Sequence, residues 1–439
     1  MVYLIADWRR THYSKDVIPE MDGQEVTLMG WVHSIRALGK LAFVILRDRA
    51  GTIQAVVPKQ KVDEETFEIA KKLGKEDIVA IKGKVVANEK APKGFEVIPI
   101  EIRVLNKADA PLPLDPSEKV SAEIDTRLDK RFLDIRRPKI QAIFKIRAEM
   151  LKSIRKTFAD EGFIEVNTPK LVASATEGGT ELFPISYFEK EAFLGQSPQL
   201  YKQMMMAGGF DKVFEIAQIF RAEEHNTRRH LNEAISIDSE MSFVNEKDAM
   251  AMLEKVVYNC YSDIEYNRPN EIELLELNWE IPEKTFDKVT YTEAIDIAIA
   301  KGVEIEWGED LSRAAERAVG DEMGGLYFIT EWPTQTRPFY TLPHKHDNKV
   351  CKAFDLMYKE LEISSGAQRV HKYDLLVQNI SNMGLNPDSF ETYLEAFKYG
   401  MPPHAGWGLG ADRFAMVLTA QDNIRECVLF PRDRQRLTP

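Results

Sequence analysis

The chain has 439 residues, too many for one ordinary core and enough for a small domain beside a large one. Its 44% hydrophobic and 29% charged content is that of an average water-soluble protein, and no stretch approaches the roughly 20 apolar residues of a membrane span. A net charge of −12 argues mildly against a nucleic-acid partner, but local basic clusters decide that question, and Arg127 to Lys139 and Arg432 to Arg436 form two, each equally readable as solvated surface charge.

The first ten residues offer neither a long apolar run nor a small-residue cleavage site, so a cytoplasmic location is the default expectation. Residues 25–106 alternate between short apolar-patterned runs and turn signals at Gly39, Gly51 and Gly94. Strands are predicted at about 25–36, 41–48, 52–57, 77–87 and 95–105, with a helix over about 63–74. Five strands with a helix before the fourth predict an OB-fold barrel, which binds oligonucleotides on its second and third strands. Pro111, Pro113 and Pro116 then forbid regular structure and mark a linker. The domain division is therefore 1–107 for the barrel, 108–140 for a linker or hinge, and 141–439 for the larger domain.

From about 141 the spacing of Ile143, Ile146, Met150, Leu151, Ile154 and Phe158 predicts a long amphipathic helix, followed by a strand at Phe163–Val166 that runs into Pro169. Further strands are expected near 213–221, 234–243, 326–331 and 353–364, while residues 245–340 are assignable only as helices and strands around a site. Cys260, Cys351 and Cys427 lie far apart without a CxxC pair, so free thiols and no zinc are expected.

Three short motifs carry chemistry. Arg221 and Glu223 stand two apart at the end of a strand and share a face if it persists; a loop with Arg228, Arg229 and His230 follows, a plausible phosphate clamp or a plain exposed hairpin. Gly406 to Arg413 reads as a glycine-rich turn before a helix, whose free N–H groups suit an anion; a turn before a core helix is the bland alternative. Asp355, Glu360, Glu362 and Ser365 are hard oxygen donors of the kind Mg²⁺ prefers, or a solvated acidic strand edge. No G-x-x-x-x-G-K-[ST] loop occurs.

In this order, the helix and strand ending in Pro169, the Arg221-x-Glu223 hairpin and the Gly408–Arg413 segment resemble motifs 1, 2 and 3 of class II aminoacyl-tRNA synthetases. Thr176–Phe183 and Gln196–Gln203 resemble amino-acid-site segments of the archaeal-type aspartyl enzymes, and the likeness covers nearly the whole chain. The resemblance implies an α+β protein: a five-stranded OB-fold anticodon-binding barrel and a catalytic domain built on a mixed, largely antiparallel sheet flanked by helices. It implies ATP as substrate, Mg²⁺ as cofactor and a homodimer formed through motif 1. Arg221 would meet the α-phosphate and the aspartate carboxylate, and Arg413 the γ-phosphate, with Glu362 completing the catalytic set. Glu223, Arg229, His230, Leu231, Gly410, Ala411 and Asp412 would hold the rest of ATP, and Glu362 with Ser365, more weakly Asp355, the metal. Glu177, Gln199, Lys202, Asp238, Ser365 and Arg369 would bind aspartate, because a buried carboxylate needs cations around it.

In the barrel, Phe43 and Gln54, assisted by Arg36, match the family's anticodon readers; Phe43 alone also fits a barrel-core position. His33 at the end of strand 1 and Pro92 in the loop between strands 4 and 5 resemble the non-discriminating enzymes, which charge both tRNA(Asp) and tRNA(Asn) and leave the latter to an amidotransferase. A discriminating aspartyl enzyme, an asparaginyl enzyme, a non-catalytic nucleic-acid-binding paralogue and an amide synthetase on the same fold are the competing readings. Lys202 opposes the asparaginyl one, the intact arginines the paralogue, and the barrel the amide synthetase.

Overall fold

A computed structural model describes residues 7–117, 119–173 and 182–439, and its chain divides into two compact units, Met1–Ala122 and Glu123–Pro439. The first contains strands β1 (Glu25–Leu38), β2 (Leu41–Asp48) and β3 (Gly51–Pro58), helix α1 (Glu64–Lys71), and strands β4 (Ile78–Ala87) and β5 (Phe95–Asn106). The strands close into a barrel in the order β1-β2-β3-β5-β4. Alternation explains the closure: Ala42, Val44 and Leu46 of β2 are buried in the barrel core while Phe43 and Ile45 between them face outward, half-buried. Helix α1 starts where Asp63 accepts a hydrogen bond from the Thr66 N–H at 2.6 Å and plugs the core with Phe67 and Ala70. Strand β1 runs to Leu38, further than its pattern predicts, so His33 lies inside the strand at a β-bulge between Val32 and Ser34 and not at its end.

The second unit opens with α2 (Ile124–Asp129), α3 (Arg131–Asp134) and α4 (Pro138–Asp160), followed by the short strand β6 (Ile164–Glu165). Pro138 begins α4, where a missing N–H costs nothing. The segment expected to be linker as far as residue 140 is therefore partly helical, and its basic cluster is partly internal. Arg131 is fully buried, its guanidinium donating to Asp134 and to the Glu426, Val428 and Leu429 carbonyls, while Arg127 grips Asp134 and Glu426.

A small sheet of β7 (Leu171–Val172), β8 (Pro184–Tyr187) and β9 (Lys190–Leu194) leads to α5 (Gln199–Ala207) and the hairpin β10 (Lys212–Phe220) and β11 (Glu233–Ser242). The region the sequence left undivided holds α6 (Glu246–Asn267), α7 (Pro269–Leu274), β12 (Asp287–Thr290), α8 (Tyr291–Ala300), α9 (Arg313–Met323) and β13 (Leu326–Thr330). Then come β14 (Ala353–Tyr358), β15 (Leu361–Gln368), α10 (Tyr373–Asn382), α11 (Glu391–Lys398), β16 (His404–Gly410) and α12 (Ala411–Thr419).

Eight of these strands form one sheet, β12-β13-β14-β15-β16-β11-β10-β6, antiparallel except at the β12/β13 and β10/β6 edges. One face is covered by α4, α6 and α12, whose Ile146, Met150, Leu253, Val257 and Phe414 pack with Leu356, Trp407 and Leu409 of the sheet. Two expectations are corrected. The strand at 353–364 is a hairpin, because Lys359 turns the chain with φ 52° although it is not glycine. The glycine-rich segment is a strand, β16, and not a turn.

Candidate active site

The cavity lies on the other face of the large sheet, where side chains of β10, β11, β14, β15 and β16 meet the loop between β10 and β11. Its volume is about 360 Å³. Alternation on β16 makes it: Ala405, Trp407 and Leu409 point into the core, so the glycines between them face the other way, and Gly408 and Gly410 form the floor. A Cβ at Gly406 would stand 2.1 Å from the Ser239 carbonyl oxygen and 2.2 Å from Glu240 Oε2. Strand pairing sets the rows across that floor. Asp238, Gly408, Ser365 and Asp355 lie in one row, and Glu240, Gly406, Ala367 and Ala353 in the next.

A bulge decides where the acidic residues face. Leu356 pairs with Ser364 and Met357 with Glu362, leaving Ile363 as an extra residue in β15. Glu362 and Ser365, three apart and destined for opposite faces in a regular strand, therefore share the cavity face. A carboxylate and a hydroxyl converging on one polar cavity are the hard oxygen donors that suit Mg²⁺. Burial and the nearby Asp355 raise the Glu362 pKa, opposed by Arg413, Arg337 and Arg221. Asp355 is buried and bound to Arg337 at 2.5 Å, while the Arg337 guanidinium stacks 3.8 Å from the Trp332 ring centroid.

At one end of the cavity the β10–β11 loop is clasped at its neck: the Arg221 N–H donates to the Asn232 carbonyl at 2.9 Å and the Asn232 amide returns a bond to the Arg221 carbonyl at 2.8 Å. Arg221, Glu223, Arg229, His230 and Leu231 all line this end. Although β10 stops at Phe220, Arg221 and Glu223 still reach the same space. Arg413 donates to the Arg229 carbonyl (3.4 Å), the Glu362 carbonyl (3.0 Å) and His230 Nε2 (3.0 Å). Because a guanidinium only donates, Nε2 of His230 carries the lone pair and Nδ1–H bonds Thr227 Oγ1 at 2.7 Å. Burial first, then Arg413 and Arg221, push the His230 pKa down to about 4, so the ring is neutral at pH 7. Arg229 lies 3.4 Å from Glu360 Oε1 and 3.6 Å from Glu316 Oε2. Gly410 and Asp412 also line the cavity; Asp412 accepts from the Ile235 N–H at 2.9 Å and pairs with Arg147 of α4, which braces the start of α12, while Ala411 sits in the core.

The other end holds a buried charge cluster. Lys202 Nζ lies 2.8 Å from Asp238 Oδ1 and 3.7 Å from Glu240 Oε2, and Arg369 lies 3.1 Å from Glu240 Oε1. Gln199 Oε1 accepts from Arg369 at 3.4 Å, and its buried Nε2 has no partner among the described residues. Glu177 lies outside the described residues. The sequence reading missed Glu240, Arg337 and Glu316. An Asp238-x-Glu240 repeat on a strand, two carboxylates on one face, was the available signal for the first; Arg337 and Glu316 are brought in only by tertiary folding.

In the barrel, Arg36 pairs directly across from Phe43, while Gln54 pairs with Ile45 two residues along the same face. Phe43 is not part of the barrel core, so that face is an outward platform. His33 Nδ1 is 3.4 Å from Arg47, and Pro92 is exposed between β4 and β5.

Residues 26–105 match the family described as OB-fold nucleic acid binding domain, and residues 123–434 match tRNA synthetases class II (D, K and N). A protein of Methanococcus maripaludis named "Aspartate--tRNA(Asp/Asn) ligase" is 95% identical over 438 residues, covering 100% of both chains. One of the same name from Methanocaldococcus jannaschii is 74% identical, covering 98% of this chain and 99% of its own. The asparaginyl-tRNA synthetase of Pyrococcus horikoshii, solved with asparaginyl-adenylate, superimposes with a TM-score of 0.92 at 37% identity over 98% of this chain and 100% of its own. The aspartyl-tRNA synthetase of Entamoeba histolytica gives 0.87 at 32% identity, over 99% and 93%. With a sheet, cavity and barrel of this form and a match that spans well over half its length, the chain belongs to the class II tRNA synthetases of the aspartate, lysine and asparagine group.

Proposed function

We propose that this chain is a non-discriminating aspartyl-tRNA synthetase, which activates L-aspartate with ATP to aspartyl-adenylate and transfers it to the 3′ end of tRNA(Asp) and tRNA(Asn). The observation that carries the reading is one cavity lined by Arg221, Arg229, Arg413 and Arg369, with Lys202 buried behind its wall on the lining residue Asp238. Such a site suits a dicarboxylic amino acid beside a triphosphate, and near-identical relatives carry the corresponding name.

The aspartate α-carboxylate attacks the α-phosphorus in line, the bond to the β-phosphate breaks and pyrophosphate leaves, so no protein nucleophile is required. Catalysis is then positioning and charge neutralisation. Arg221 meets both the α-phosphate and the attacking carboxylate. Arg413 takes the γ-phosphate, already aimed by its bonds to the Glu362 carbonyl and the neutral His230. Glu223, Arg229, His230, Leu231 and the Gly410–Asp412 entry to α12 hold the remainder of ATP. Lys202 and Arg369 receive the substrate's side-chain carboxylate, with Gln199, Asp238 and Ser365 beside them and Glu177 facing the ammonium. Enzymes of this family use ATP and Mg²⁺. Glu362 and Ser365 would hold Mg²⁺, which when bound supplies positive charge to the phosphates.

Residues 1–107 serve as the anticodon-binding domain and 141–439 as the catalytic one, joined through 108–140. Arg36, Phe43 and Gln54 read the anticodon, and His33 and Pro92 set the tolerance for either tRNA. The protein works in the cytoplasm as a homodimer through α4 and its following strand, which size-exclusion chromatography with light scattering tests, and hands mischarged tRNA(Asn) to an amidotransferase. No helix among the described residues is long and apolar enough to cross a membrane.

A charging assay with both purified tRNAs tests the proposal: aspartate is expected on each, and activity confined to tRNA(Asp) would refute the relaxed specificity. The likeness to an asparaginyl-tRNA synthetase structure favours a second reading. Amino-acid-dependent pyrophosphate exchange separates the two, since exchange driven by asparagine and not aspartate would overturn the first.

A further inference from the structure

Behind the outward face of the barrel lies an ion pair for which the proposed function has no use. Arg47 of β2 and Glu76 of the segment before β4 meet at 2.7 Å, with side chains 7% and 0% exposed. Desolvation largely offsets attraction in a pair so deeply buried, so stability alone is a weak reason for its presence. The second arm of the guanidinium reaches His33, with Nη1 3.4 Å from Nδ1. A guanidinium has donors and no acceptor, so Nδ1 presents its lone pair and the ring proton sits on Nε2. Burial, then the charge of Arg47, lowers the His33 pKa against the opposing pull of Glu76, which keeps the ring neutral at pH 7.

The backbone fixes the same arrangement. The Glu76 N–H donates to the Val32 carbonyl at 2.7 Å, and the Val32 N–H to the Asp77 carbonyl at 2.8 Å. The segment that carries Glu76 is thereby tied to the residue preceding His33, at the bulge that lets His33 leave the regular alternation of β1.

We propose that Arg47, held by Glu76, is a positioning residue that fixes His33 as the neutral Nε2–H tautomer, offering a hydrogen-bond donor to an acceptor common to both anticodons. The inference rests on the reading that His33 borders the anticodon. By the genetic code, the third anticodon base is C for aspartate tRNA and U for asparagine tRNA. These pyrimidines share the O2 acceptor and differ at N3 and at position 4. A neutral donor directed to O2 accepts either base, whereas groups that read position 4 would separate them.

The test is a double-mutant cycle in the full chain between His33→Ala and the paired change Arg47→Met/Glu76→Met, which removes both charges together so that neither is left buried alone. The KM for each tRNA is measured in aminoacylation, with rates normalised to each variant's tRNA-independent pyrophosphate exchange. Each arm is expected to raise the KM about fivefold for both tRNAs, the worth of one neutral hydrogen bond, and the combined variant to raise it no further. Additive losses, or an unchanged KM in the Arg47→Met/Glu76→Met chain, overturn the proposal. A second readout needs no folded variant of the pair. In the unaltered chain labelled with ¹⁵N-histidine, the signal lost in His33→Ala should show the Nε2–H pattern, and an Nδ1–H or doubly protonated ring at pH 7 overturns it equally. Failure of the relaxed-specificity reading is distinguishable, because it appears as no charging of tRNA(Asn) by the unaltered protein while the cycle remains measurable on tRNA(Asp).

Discussion

Replacing Lys202 with methionine tests the amino-acid pocket most directly. The side chain is 3% exposed, and its Nζ lies 2.8 Å from Asp238 Oδ1, 3.1 Å from the Trp407 carbonyl and 3.7 Å from Glu240 Oε2. Lys202 and Arg369 balance Asp238 and Glu240, two cations against two carboxylates; the substitution leaves one against two. Removing one partner of a buried pair typically costs roughly 3–5 kcal/mol. The lower end applies, since Asp238 keeps its bond from Ser236 Oγ at 2.5 Å and Glu240 keeps Arg369. For the substrate, the side-chain carboxylate loses a charge-assisted hydrogen bond worth about 1.5–3 kcal/mol, a rise of roughly 10- to 150-fold in the aspartate KM. Aspartate-dependent pyrophosphate exchange measures that KM, and denaturant unfolding measures the stability. The double variant Lys202→Met/Asp238→Asn restores one cation to one carboxylate, so it should regain most of the stability and none of the aspartate affinity. An aspartate KM within threefold of the unaltered value, in a chain that unfolds cooperatively, would refute the pocket assignment.

Gly406→Ala forces a Cβ against the Ser239 carbonyl and Glu240, in a strand paired on both sides, and is expected to destabilise by about 1–3 kcal/mol in thermal unfolding. Gly410→Ala, whose nearest obstacle is 3.7 Å away, should stay near the unaltered stability; equal losses would contradict the packing argument. Burial pushes the His404 pKa down to about 4, so the folded state keeps this ring neutral while the unfolded chain protonates near 6.5. Its contribution is present above pH 6.5 and fades as the pH falls to about 4, by about 3 kcal/mol at most. The stability gap between the unaltered chain and His404→Gln should shrink over that window, and a constant gap would count against it. Arg413→Lys cannot serve the three acceptors that the guanidinium fork reaches, so pyrophosphate exchange should fall roughly a hundredfold. A fall of less than fivefold would remove Arg413 from the proposed mechanism.

The barrel was legible because period-two alternation is local: Ala42, Val44 and Leu46 announce a buried face whatever the rest of the chain does. The same rule was available at β16, where Ala405, Trp407 and Leu409 alternate with glycines, but glycine density suggested a turn. Lys359 hid the β14–β15 turn for the opposite reason, since a lysine in left-handed backbone carries no turn signal. Arg221, Glu223 and Arg413 could be nominated from motif order, and Lys202 and Arg369 from the resemblance to the aspartyl amino-acid site; folding gathers them around one cavity or its wall. What escaped was the residues supporting them. Glu240, Arg337 and Glu316 acquire meaning only through register and tertiary contact, and the bulge at Ile363 that turns Glu362 and Ser365 to one side has no signature in composition.

Although the chain carries a net charge of −12, most of the cations in and around the cavity are set against fixed internal partners. Arg337 is held by Asp355, Arg369 by Glu240, Arg229 by Glu360, and Arg413 by the Glu362 carbonyl and His230. These guanidiniums are oriented before any ligand arrives, so little reorganisation remains when phosphate or carboxylate oxygens approach. Arg221 differs: it is exposed, and its guanidinium has no hydrogen-bond or ion-pair partner among the described residues. In water that freedom costs little. In the proposed mechanism, substrates that fill the cavity and exclude solvent would leave the same group desolvated with the reacting carboxylate and phosphate as its partners, and its attraction would strengthen as the local dielectric falls. The tethered Arg413 meets the phosphates already aimed, which favours the charge distribution of the transition state without reorganisation. Arg221, proposed to meet the attacking carboxylate and the α-phosphate, would lower the barrier to the extent that its attraction is stronger for the redistributed charge of the transition state than for the bound substrates.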